Sequence, residues 1–262
     1  MEFLLHILSG AGVGFLIGLT GVGGGSLMTP LLLLFGYPAP VAIGTDLLYA
    51  ALTKLGGAYS HHKRGHVRWR IVFLLALGSV PTSLLIHVFF LDFNDQSTEA
   101  FENLLTKSLG VMLIVTSIIL IFKEKLRKNA IEDKPAHIMH LLHRYRGRIT
   151  FVMGILLGIC VTLSSVGAGA FCAAILLTIY SKTPSVHIIG TDIAHAVPLT
   201  LIAGLGYLAG GYVDLVLLVS LLLGSLPAIH LGTRVSSRVP DKVLQQLLVL
   251  VLLALGAYYS LR

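Results

Sequence analysis

Ten runs of almost uninterrupted apolar residues divide this chain, at 3–20, 27–36, 43–60, 71–91, 105–122, 149–163, 170–181, 188–210, 213–232 and 243–261. A helix needs about 20 such residues to cross the roughly 30 Å hydrocarbon core of a bilayer. Six or seven of the runs are long enough, whereas 27–36 and 170–181 are too short to cross alone. Membrane-spanning strands would alternate apolar and polar positions in segments of about ten residues, and these runs do not alternate. Composition closes off a water-soluble domain: 55% of the residues are apolar and 12% charged, with a mean hydropathy of +0.88, where soluble domains carry about 25% charge. The expected fold class is therefore all-α, a polytopic membrane protein. Met1-Glu2-Phe3 lacks a basic leader region, and the apolar stretch behind it recurs later in the chain, so no cleavable signal peptide is expected. Cys160 and Cys172 lie in apolar segments and read as small packing residues, not a disulfide framework.

The chain repeats itself. Pro38–Asp46 (PAPVAIGTD) aligns with Pro184–Asp192 (PSVHIIGTD) at an offset of 146. The same offset pairs Gly65 and Val67 with Gly211 and Val213, and Gly78-Ser79-Val80-Pro81 with Gly224-Ser225-Leu226-Pro227. Two Gly-rich breaks align at 144: Gly21-Val22-Gly23-Gly24-Gly25-Ser26 and Val166-Gly167-Ala168-Gly169-Ala170. Each break directly precedes one of the two short apolar runs. Matched features in one order argue for duplication, an architecture common among secondary transporters. The halves are 1–122 and 149–262, joined by a basic connector, 123–148.

Loop charge orients them. His61–Arg70 holds Lys63, Arg64, Arg68 and Arg70 with no acid, and Lys123–Arg148 holds eight Lys or Arg against three acids. With Arg234, Arg238 and Lys242 these segments carry 15 of the 19 basic residues, which places them on the cytoplasmic side. The stretch 92–104 has Asp92, Asp95, Glu99 and Glu102 and no base, so it is expected outside. Its repeat mate is the basic stretch near 234–238. Equivalent loops on opposite faces predict inverted repeats of about five helical segments each, two of them the short pair around the break, with both termini outside. The net charge of +7 is accounted for by this topology and does not imply nucleic-acid binding.

Polar features inside the apolar runs mark the candidate site. Backbone freed from helical pairing is tolerated at membrane depth only where protein or a wet cavity satisfies it. Gly23, Gly24, Gly25 and Ser26 break one helix and open another, whose N–H groups and dipole suit an anion. Ser164, Ser165, Gly167 and Gly169 occupy the matching place in the second half. The alternative is that these glycines only let helices approach closely. Thr45-Asp46 and Thr191-Asp192 are either helix caps after a proline or, for the acids, coupling and gating groups, since intramembrane charges are costly. Lys54, eight residues after Asp46, can neutralise an anionic substrate or pair with that acid. His195, at the position matching Tyr49, can donate to an oxyanion or be a plain buried histidine. His61, His62 and His66 resemble metal ligands on paper, but interleaved Lys63 and Arg64 favour a solvated cytoplasmic loop.

The ordered set GLTGVGGGSLMTPLLL, AIGTDLL, GHVRW and GSVP, with its second copy IIGTD, GGYVD and GSLP, resembles the sulfite exporter TauE/SafE family, also called the toluene sulfonate uptake permease family. The resemblance covers nearly the whole chain. It implies an inner-membrane permease, bacterial or archaeal, for small anions such as sulfite, thiosulfate or organosulfonates, and it places Gly23 to Ser26, Thr45 and Thr191 on the family's repeated motifs. The second half departs from the pattern, with Gly167-Ala168-Gly169-Ala170 in place of a full glycine run. A channel, or a carrier of a carboxylate or metal ion, remains open from the residues.

An enzyme is disfavoured: there is no HExxH or Gly-x-Ser-x-Gly, and Gly21–Ser26 lacks the lysine of a phosphate-binding loop. No cofactor and no bound metal are expected. The expected partners are a small anion and the lipid bilayer, with a homodimer left open and no nucleic acid.

Overall fold

The computed structural model describes residues 2–20, 25–91, 99–131, 136–167, 169–236 and 241–261. These residues form helices α1 (Glu2–Thr20), α2 (Gly25–Leu34), α3 (Ala39–Lys63), α4 (Trp69–Ile86), α5 (Glu99–Ile131), α6 (Ala136–Ser164), α7 (Ala170–Ile179), α8 (Ser185–Ala209), α9 (Leu215–Ser236) and α10 (Asp241–Leu261). A π-helical turn, His87–Leu91, extends α4. Among the described residues there is no strand.

Among the described residues, five stretches are long and apolar enough to cross a membrane: Trp69–Phe89, Phe101–Phe122, Arg144–Ser164, Ser185–Ala209 and Leu215–Val235. Phe3–Leu19 and Leu248–Leu261 are apolar but shorter. α3 has the length, but Asp46, Lys54 and the polar end Ser60–Lys63 dilute its apolar character. Phe73, Val216, Leu223 and Leu250 point outward and are exposed, as they must be where lipid is the solvent. The chain is a multi-pass membrane protein. The acidic stretch 92–104 becomes helical from Glu99, and much of the connector 123–148 extends α5 and α6.

α3 and α8 form the centre, packed antiparallel: Gly204 abuts Leu48 at one end of the contact and Gly57 faces Ile193 at the other. Around them the halves exchange partners. α1 packs along α9, with Gly10, Gly14 and Gly18 against Leu221, Ser225 and Ile229 in parallel register. α6 packs along α4 in the same way, Gly154 and Gly158 against Leu75 and Ser79. A Cβ at these glycines would strike facing backbone; small residues let membrane helices approach this closely. α5 and α10 run antiparallel, joined by a hydrogen bond from the Gln245 amide to the Leu120 carbonyl.

The short helix α2 packs on α3, and α7 packs on α5, α8 and α6. Tyr37, just past α2, hydrogen-bonds through its hydroxyl to Nε2 of His6 on α1 at 3.0 Å. Tyr180, just past α7, meets the Thr150 hydroxyl within α6 at 2.9 Å.

Candidate functional site: the buried polar centre

α3 starts at Ala39 behind Pro38 and α8 at Ser185 behind Pro184, and neither preceding proline caps its helix through a side chain. Asp46 and Asp192 thus lie two turns inside their helices, so the capping reading of these acids fails. Both are buried. An Asp46 carboxylate oxygen accepts a 2.5 Å hydrogen bond from the Thr29 hydroxyl of α2, while its other oxygen has no hydrogen-bond partner. The Ser165 side chain, from the second break, lies beside the same carboxylate without a well-formed bond of its own. Asp46 therefore joins the first half's short helix to the second half's break.

Asp192 faces α7, where the Cys172 thiol lies against its carboxylate. Cys172 is buried and so does more than fill space. Lys54 is half-buried, and its ammonium acts on both Asp46 and Asp192. This gives one cation between two buried acids, set on the two central helices.

The second break is held in conformations that ordinary residues avoid. Ser165 has φ 56°, Gly167 118° and Gly169 147°; only glycine adopts the latter two readily. Ser164 tightens the bend, its hydroxyl donating to the Cys160 carbonyl at 2.6 Å and accepting from the Val166 N–H at 3.2 Å. α7 opens immediately after Gly169. Of the first break, Gly23 and Gly24 lie outside the described residues; Gly25 and Ser26 begin α2.

The remaining candidate residues sit in reciprocal pairs. His195 Nε2 and the Ser79 hydroxyl of α4 are 2.9 Å apart. At the repeat-related place the Tyr49 hydroxyl faces Ser225 of α9. Thr191 accepts the Arg68 N–H at 3.0 Å, and Thr45 accepts the Asp214 N–H at 3.3 Å. Both threonines thus bind the opposite half's loop backbone and stand apart from the carboxylates' immediate surroundings. Gly190 has the His61 ring against it, and Gly44 has Tyr207 and the Tyr212 carbonyl. His61 and His66 are half-buried and their rings pack against each other at a tilt, unlike the solvated loop expected; only His62 of the three is exposed.

Sequence reasoning overlooked Thr29, Ser79 and the polar use of Cys172. The offset of 146, which relates Tyr49 to His195 and Ser79 to Ser225, already held the signal for the serines. Among the described residues, no group of three His, Cys, Asp or Glu is arranged to hold a metal ion.

Helices long and apolar enough to cross a membrane, short helices between them, and buried acids at the centre are the features of a membrane transporter. A family model described as the sulfite exporter TauE/SafE matches residues 6–259. The chain belongs to this family. It is 35% identical to the probable membrane transporter protein YjnA of Bacillus subtilis over 95% of this chain and 96% of that protein. The probable membrane transporter protein YdhB of the same organism is 29% identical over 91% of this chain and 92% of its own. A third relative, the probable membrane transporter protein MJ0441 of Methanocaldococcus jannaschii, is 25% identical over 99% and 97%. No solved structure matches significantly.

Proposed function

We propose that this protein carries small oxyanions, sulfur-containing ones foremost (sulfite, thiosulfate or an organosulfonate), through a site where the two glycine breaks meet α3 and α8. The observation that carries this reading is the placing of Asp46 between Thr29 of one hairpin and Ser165 of the other break. The α2 and α7 N-termini offer N–H groups and a positive dipole end, and Lys54 and Ser165 supply a cation and a hydroxyl; the Ser26 side chain lies outside the described residues, and Ser164 holds the bend of the second break. The family name supports the choice of sulfur anions.

The halves work as inverted repeats. α3 and α8 are repeat mates that lie antiparallel, and loop charge puts matching loops on opposite faces. The short helices α2 and α7 act as re-entrant arms, and tilting them about α3 and α8 would expose the site to each side in turn.

Two buried carboxylates beside an anion site repel the substrate unless they carry protons. Anion loading and protonation of Asp46 and Asp192 are therefore linked, with the Ser79–His195 pair as the candidate proton path. An inside-negative potential favours anion export by about 2.3 kcal/mol per charge per 100 mV, so uptake is the direction that needs the proton.

Flux of labelled sulfite into proteoliposomes under imposed pH and voltage gradients tests this. Saturable flux that responds to the pH gradient, with the response lost in Asp46→Asn, is expected. A flux indifferent to pH removes the coupling role, and an unsaturable conductance makes the protein a channel. Binding is tested separately by thermal shift against sulfite, thiosulfate, sulfonates, carboxylates and divalent metals. Ser26→Ala and Lys54→Gln should abolish the anion shift, and an unchanged shift rejects the site.

A further inference from the structure

We infer that the α3–α8 contact at the end bearing the His61–Arg70 loop is an acid-operated latch, closed by the packed rings of His61, His66 and His187 and released when His61 gains a proton. The three rings form a row, with centroids 5.5 Å apart for His61–His66 and 5.4 Å for His66–His187. They come from three places: the end of α3, the loop, and the first turn of α8. All three are half-buried, and Nδ1 of each is buried without a hydrogen-bond partner. Next to the row, the Thr191 hydroxyl holds the Arg68 N–H.

The repeat supplies a built-in comparison. At the offset of 146, His61 and His66 correspond to Tyr207 and Tyr212, and His187 to Val41. Tyr207 and Tyr212 form the equivalent ring pair, 6.4 Å apart, packed on Gly44 as His61 packs on Gly190. One end of the molecule is therefore closed by phenol rings and the other by imidazoles.

A proton on His61 adds a charge beside the His66 imidazole and the Arg64 guanidinium. The ionisable groups facing His61 are His66 and Arg64 of the loop; from α8 come His187 and, deeper, Asp192, whose own neighbours are Cys172 and Lys54. His62, Lys63 and Lys182 are exposed. Burial, then His66 and Arg64, hold the His61 imidazole below its usual value. The closed form therefore binds fewer protons than the open one. Its stability is complete above the ordinary histidine value of about 6.5 and falls as the pH drops below it.

The consequence for flux rests on the transport reading, so the first readout does not. Trp69, the single tryptophan, starts α4 beside this loop and meets the His62 ring edge-on, with centroids 5.3 Å apart. In purified His62→Gln protein, which removes that direct quencher, Trp69 emission should shift between pH 8 and 5 in the presence of EDTA. The shift should vanish in the background carrying His61→Tyr, His66→Tyr and His187→Val, which copies the other end. His66→Gln, a smaller change at the middle of the row, should weaken it. No shift, an equal shift in both substituted proteins, or a shift that requires added zinc overturns the latch. In proteoliposomes, acid on the loop side should raise sulfite flux several-fold in the native protein and not in the tyrosine–valine protein. An emission shift without any flux leaves the latch standing and rejects the transport reading; flux with no acid response in the native protein overturns the latch alone.

Discussion

Gly44 and Gly190 show why the Ile-Gly-Thr-Asp sequence occurs twice. A Cβ on Gly44 would come within 2.6 Å of the Tyr212 carbonyl oxygen and 2.7 Å of the Tyr207 Cβ. One on Gly190 would meet His61 Nδ1 at 2.8 Å. The glycine seats an aromatic ring, the threonine holds the facing loop, and the aspartate turns into the core. Gly44→Ala should therefore lower stability by about 1–3 kcal/mol, the usual cost of overpacking, seen as a lower midpoint of thermal unfolding in detergent. Gly12→Ala, with nothing within 4 Å of the added carbon, should leave the midpoint nearly unchanged. The sequence displayed all three residues, because each is repeated at one spacing. Their division of labour was not legible. A threonine and an aspartate following a proline also read as caps, and only the helix starts at Ala39 and Ser185 separate the two meanings.

At the scale of the element, the ends of the short helices are tied to α1 and α6 through His6–Tyr37 and Thr150–Tyr180. The short arms are held besides by packing of Met28 and Leu32, and of Phe171 and Leu176, into the core. Tyr37→Phe should remove about 0.5–1.5 kcal/mol, a typical net hydrogen bond. Faster amide exchange confined to α2 and the turn after it, read by mass spectrometry, is the expected result; uniform change across the protein would assign Tyr37 a global role instead. That α2 and α7 are too short to cross a bilayer alone was legible, since each is an apolar stretch of 10 residues behind a glycine run; whether such an arm re-enters was not. The ties were hidden, because nothing near Tyr37 in the chain points to His6. The histidines at the end of α3 were misjudged for a related reason. Lys63 and Arg64 are their chain neighbours, but Gly190 and His187 are their neighbours in space.

Over the whole molecule, the duplication was readable to the residue, whereas the exchange of partners between halves was not. An offset relates positions and says nothing about whether α1 packs within its own half or along α9. The structure shows the second arrangement, with α6 along α4 as its counterpart. Neither 1–122 nor 149–262 then keeps its main helix contacts when made alone. The chain severed within 132–135 should yield two fragments that are degraded singly and recovered as a stable pair when co-expressed, as measured by co-purification through a tag on one fragment. A stable lone fragment would contradict the exchange.

That exchange also imposes a schedule on synthesis. α1 ends at Thr20 and its partner α9 begins at Leu215, about 200 residues later. At roughly 5–20 residues per second, the ribosome needs on the order of ten to forty seconds to deliver the second helix after the first. Throughout that interval the glycine face of α1 has lipid or another protein against it. The newborn helix is then open to capture by the wrong neighbour, an insertase or a second nascent chain, and the fidelity of assembly depends on what occupies that face while it waits.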